Sequence, residues 1–185
     1  MLNEKALERA MKEAWKGTGY IVGCFHIEGD DIVMMFTTGW QLACQMQEMP
    51  RRCLGLIVEH CGEIPADKAM RCMKDGEQVT ILEMVKGVYG DLLKLSEDAQ
   101  AEESCMMRTG VTIGGWRAWQ DAESLTIRLM NPGYTDICDL SDGNSDAEMV
   151  PGGILFTGVD GRLYVKKEEA EDHMHILKCL QKIRI

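Results

Sequence analysis

RCLGLIVEHCGEIPADKAMRCMKDGEQVTILEM, running from Arg52 to Met84, carries the choice between fold classes. Arg52–His60 is a nearly continuous apolar run, the pattern of a strand buried on both faces. In Pro65–Gly76 a proline stands at a first helical position and a glycine at the exit, which predicts a helix. Glu77–Met84 alternates as a further strand. Strand, helix and strand in that order predict a parallel or split unit.

On the N-terminal side, Leu7, Ala10, Met11 and Ala14 recur at steps of three and four, opposite Glu4, Lys5, Glu8, Arg9, Lys12 and Glu13. This is an amphipathic helix, and Gly17 and Gly19 stop it. GYIVGCFHIE and DDIVMMFTT then read as a hairpin joined through EGDD. WQLACQMQEM, Trp40–Met49, reads as a short helix that Pro50 ends.

Beyond Met84, Val88, Leu92, Leu95 and Ala99 keep helical spacing into SEDAQAEES. This polar stretch, 96–104, is the one boundary the composition offers. RTGVTIGGWRAWQ and ESLTIRLM read as hairpin strands across Asp121–Ala122, and GILFTG and RLYVKK as strands across VDG. NPGYTDICDLSDGNSDAEMVPGG reads as a long loop and KEEAEDHMHILKCLQKI as a closing helix. The predicted class is α+β, with mixed sheets from hairpins plus the strand-helix-strand unit and an amphipathic helix at each end. The chain reads as one domain, or as two closely packed subdomains, 1–95 and 105–185.

Thirty acidic against twenty basic residues give a net charge of −10. Such a charge repels phosphate backbones and argues against direct nucleic-acid binding. No stretch reaches the roughly 18 apolar residues of a membrane span, and the N-terminus lacks the apolar core of a secretory signal. These features predict a cytoplasmic protein. Its eight cysteines are therefore expected as free thiols packed as small hydrophobes, with no CxxC pair for a zinc ribbon.

The sequence holds several partial motifs. Gly17–Gly23 (GTGYIVG) follows a helix and precedes a strand, the reverse of a dinucleotide-binding turn. Asp142, Asn144 and Asp146 alternate as in the first half of a calcium loop. Ala147 then replaces the turn glycine, and Gly153 stands where a bidentate glutamate belongs. His60 and Cys61, read on a strand, point to opposite faces and form no dyad. No cofactor and no catalytic set is predicted, and the chain leans away from enzymes.

Between Leu129 and Gly161 stand Asp136, Asp139, Asp142, Asp146, Glu148 and Asp160, with no lysine or arginine. This asymmetry predicts a non-enzymatic acidic module, an inhibitor, immunity-like or regulatory protein, docking on a basic macromolecular surface and competing there with nucleic acid. The alternative is a small-molecule binder or enzyme with a pocket where the two halves meet. It would use Trp116, Arg117, Trp119 and a histidine such as His26, with Arg117 and Trp119 on one strand face and Trp116 on the other.

On the last helix His173 and His175 lie roughly 160° apart and cannot share an ion. His173 falls on the predicted core side. Asp172, His175 and Cys179 share one stripe and form the remaining metal-ligand set.

Overall fold

The computed structural model describes residues 2–76, 79–81, 91, 92, 94, 95, 97, 104–140, 145–158, 161–169 and 173–183. In chain order the elements are α1 (Glu4–Lys16), β1 (Tyr20–Ile27), β2 (Asp30–Phe36), β3 (Trp40–Gln45), α2 (Arg51–Cys61), β4 (Ala69–Cys72), β5 (Val79–Ile81), β6 (Met106–Ile113), β7 (Trp116–Asp121) and β8 (Ile127–Met130). The one-turn helix α3 (Pro132–Thr135), β9 (Ser145–Val150), β10 (Gly153–Gly158), β11 (Gly161–Lys166) and α4 (Met174–Leu180) complete them. The class is α+β.

Eight strands form one sheet in the order β5-β4-β1-β2-β3-β11-β10-β9, and β6-β7-β8 form a second. Every strand pairing in both is antiparallel. The predicted parallel or split unit is therefore replaced by α2 followed by the β4–β5 hairpin.

The reason lies in the opening stretch. Cys53, Leu56, Ile57, His60 and Cys61 are buried, at spacings of three and four, while Arg51, Arg52, Gly55, Val58 and Glu59 face outward. That is a helical stripe. Gly62 ends the helix in the left-handed region (φ 81°), its N–H donating to the Val58 carbonyl at 2.8 Å.

Pro65–Gly76 is not a helix. Asp67 takes a positive φ of 53°. Pro65 and Asp67 instead bond the backbone of Cys24, at 2.7 and 2.8 Å, which delivers Ala69–Cys72 to the edge of β1. Trp40–Gln45 is likewise a strand, followed by a 3₁₀ turn at Met46–Glu48.

The hairpins follow their turn residues. Ile27 pairs with Asp30 across Glu28–Gly29, both at positive φ, the two-residue turn that matches strand twist. Gly114–Gly115 forms a second such turn and divides the single strand expected over 108–120 into β6 and β7. β10 and β11 pair as expected. The long loop expected over 131–153 contains α3 and β9 instead.

One face of the large sheet, including Val22, Met35, Leu42, Phe156 and Val165, is covered by Leu7, Ala10 and Met11 of α1 and Cys53, Leu56 and Ile57 of α2. Trp119 and Met130 of the smaller sheet join this layer. The opposite face carries Phe25, Met34, Phe36 and Leu155 against Leu92 and Leu95. A third cluster packs Leu177 of α4 on Ile113, Ala118, Ile127 and Leu129.

Arg128 joins the sheets by donating to the carbonyls of Val150 and Gly153, both at 2.7 Å. The large sheet draws five strands from before the 96–104 segment and three from after it. Most of that segment lies outside the described residues.

Cys61 and Cys72 form a disulfide, contrary to the free-thiol expectation for those two. Both are deeply buried where the end of α2 meets β4. The other six cysteines lie outside disulfides. Among the described residues, no helix is long and apolar enough to cross a membrane.

Candidate functional site

The start of α1 docks on the second half of the chain. Asn3 N–H donates to the Ile137 carbonyl at 2.8 Å, and Leu2 bridges Cys138. The Asn3 side chain caps the helix by accepting the Ala6 N–H at 3.2 Å. This docking leaves a cleft of about 690 Å³ between Asn3, Lys5, Ala6 and Arg9 on one side and Arg108, Trp119, Thr135 and the 136–140 segment on the other. It lies between the first and second halves of the sequence.

Charge in the cleft is unevenly compensated. Arg117 Nη1 donates to Asp136 Oδ1 at 2.5 Å, and Arg108 Nη1 lies 3.9 Å from the same oxygen. One carboxylate thus faces two guanidinium groups. Lys5 and Arg9 are exposed and, among the described residues, have no ion-pair or hydrogen-bond partner. The nearby Glu8 is engaged by Lys12 at 2.6 Å and Arg52 at 3.7 Å, and the Lys12 hydrogen bond holds its carboxyl below the usual range.

Trp119 is 1% exposed and packs edge-on against Phe156 at 5.3 Å. Its Nε1 donor is buried without a hydrogen-bond partner. An unmet indole donor is a cost that a ligand acceptor or a water would relieve.

The residues singled out in the sequence divide as follows. Trp119 lines the cleft, and Arg117 reaches its Asp136 wall. Trp116 packs against the third core cluster, on the opposite face of β7. His26 stands on the exposed β1–β2 hairpin, 3.0 Å from Asp31 and away from the cleft.

The acidic series is dispersed. Asp136 and Asp139 border the cleft. Asp146 and Glu148 stand on the edge strand β9, and Asp142 and Asp160 lie outside the described residues. Glu148 Oε2 is buried without a partner, and burial, then Asp146, push its carboxyl above the usual range.

Asp172, and with it the proposed metal stripe, lies outside the described residues. His175 and Cys179 are exposed on α4. Among the described residues, no group of three or more His, Cys, Asp or Glu could hold a metal ion. His173 lies half-buried at the start of α4, not within it, and Ile176 of its expected core side is exposed.

Sequence reasoning assigned Lys5 and Arg9 to a solvated helix face and gave Arg108 no role. A usable signal was present: Lys5 and Arg9 are like charges at i and i+4, an arrangement that destabilises a helix unless an anion lies between them. No protein-family model, no curated protein and no solved structure matches this chain.

Proposed function

We propose that this chain is a small-molecule-binding protein whose ligand occupies the cleft between α1 and the 136–140 segment. The carrying observation is that both halves wall one cavity of about 690 Å³, within the usual range for ligand sites, with Trp119, whose buried indole donor is unmet, among its lining residues. A metabolite library screened by thermal shift, with hits mapped on amide and indole NMR resonances, tests this. Hits should displace the Lys5–Arg9 amides and the Trp119 indole proton together. Hits that consistently map elsewhere would refute it.

The acidic-module reading keeps one specific support: Asp146 and Glu148 lie on an edge strand and have no cationic partner among the described residues. In that reading the pair engages a basic macromolecule. Asp146→Asn with Glu148→Gln should weaken salt-dependent binding to polylysine more than Glu28→Gln with Glu48→Gln, a change of equal charge elsewhere. Equal losses would leave only net charge as the cause.

The cytoplasm is the location we propose, on the support of six cysteines of eight that lie outside disulfides. The Cys61–Cys72 pair, 2% and 0% exposed, is shielded from soluble thiols.

A further inference from the structure

We propose that the cleft binds a small phosphomonoester, its phosphate oxygens held by Lys5, Arg9 and Arg108. The inference rests on the cleft being the functional site and adds the chemistry of its ligand. Lys5 and Arg9 lie one turn apart on α1 with no partner among the described residues. Placing like charges one turn apart costs helix stability, and a shared anion removes that cost.

Arg108 adds a third cation. Its contact with Asp136, at 3.9 Å, is loose because Arg117 already holds that oxygen at 2.5 Å. The first turn of the thirteen-residue α1 also lines the cleft, so the positive end of the helix dipole adds to the same field. With Arg117, four cations face the two carboxylates Asp136 and Asp139, and the excess of two positive charges suits a dianion, while guanidinium forks match phosphate oxygens.

Trp119 supplies the independent observation. It is 99% removed from solvent, lines the same cavity, and its Nε1 donor lacks an acceptor. A phosphomonoester brings an organic body for the apolar wall and oxygen acceptors for such a donor.

The whole molecule argues for a small ligand over a polymer. A net charge of −10 repels an extended polyanion. A compact dianion inside the cleft feels mainly the cations within a screening length of about 8 Å at physiological salt.

The test uses the intact protein, in a low-salt buffer free of phosphate, titrated separately with glycerol 3-phosphate, succinate, inorganic phosphate and glycerol and followed by NMR. Glycerol 3-phosphate should move the Asn3–Arg9 amides and the Trp119 indole proton saturably, more tightly than succinate, while glycerol does nothing. Inorganic phosphate should compete. Lys5→Gln with Arg9→Gln, and separately Arg108→Gln, should each weaken glycerol 3-phosphate at least about tenfold. Arg52→Gln, a cation on α2, should leave affinity unchanged, with melting temperatures checking that each variant folds.

Tighter succinate binding, or shifts scattered over surface lysines, would overturn the phosphomonoester. Cleft shifts from glycerol with none from glycerol 3-phosphate would overturn the anion and retain the cleft. No cleft response to these probes or to the metabolite library would overturn both proposals.

Discussion

His60 shows how a residue's environment fixes its chemistry. Its imidazole stacks on Trp15 at 4.2 Å with the rings 4° from parallel, and Tyr20 hydrogen-bonds its Nδ1 at 2.9 Å. Burial lowers its pKa below the ordinary 6.5, because the charged form loses its water. The unfolded chain therefore binds a proton that the folded chain resists. His60's contribution is complete above about pH 6.5 and is lost as pH falls from there towards the lower folded-state value. Denaturant titrations between pH 7.5 and 5 should show a slope that His60→Gln reduces. Equal slopes in the two proteins would remove His60 as its source. Cysteine chemistry divides along the same physical line. Burial pushes the Cys53 thiol up to about 12, and Cys24 upward too, while Cys105 and Cys179 are exposed. Brief alkylation of the native protein should label Cys105 and Cys179 first and leave Cys53 unmodified by mass spectrometry. Early labelling of Cys53 would show that this region opens.

At the scale of elements, the end of α2 concentrates two constraints. Gly62 holds φ 81° with open space around it, so Gly62→Ala adds backbone strain without a clash and should cost about 1 kcal/mol in chemical unfolding. Replacing Cys61 and Cys72 together by alanine should cost on the order of 3 kcal/mol, since the crosslink closes a loop with a sequence separation of 11. An unchanged denaturation midpoint would show that the crosslink adds no stability. In this same region the apolar run predicts a strand where the chain forms a helix. The apolar run from Cys53 to Val58 hid a spacing of 53, 56, 57, 60 and 61, bracketed by Pro50 and Gly62, that is helical throughout. Continuity of hydrophobicity is a weaker signal than its spacing when a helix carries extra apolar residues such as Val58 on its outer side. Pro65 misled in the opposite direction, because its neighbours follow tertiary bonds to Cys24 and not their own propensity. α1 and the first hairpin were legible because period and turn residues agreed locally. The Gly114–Gly115 turn is equally local, its two glycines at positive φ setting Ile113 opposite Trp116.

At the scale of the molecule, the cleft was only partly legible. Trp119, Asp136 and Asp139 stood out as residue types, yet the cavity exists because Asn3 reaches Ile137, a contact no local pattern encodes. Arg128 performs a comparable long-range task between the sheets. Arg128→Ala, which leaves the carbonyls of Val150 and Gly153 without this donor, should destabilise the fold by about 2 kcal/mol and speed amide exchange in β8 and the β9–β10 turn together. Faster exchange in one region alone would show that the arginine does not couple them. The strand order carries a further consequence during synthesis. β3 finds its second neighbour only in β11, with Cys44 opposite Gly161, so the large sheet cannot be completed until Gly161–Lys166 has left the ribosome. From the emergence of β3 to that of β11 the outer edge of β3 has no partner of its own, and two nascent copies would share the same open edge. For this chain, the pace at which the residues between Gln45 and Gly161 emerge sets the time window for strand exchange between neighbours.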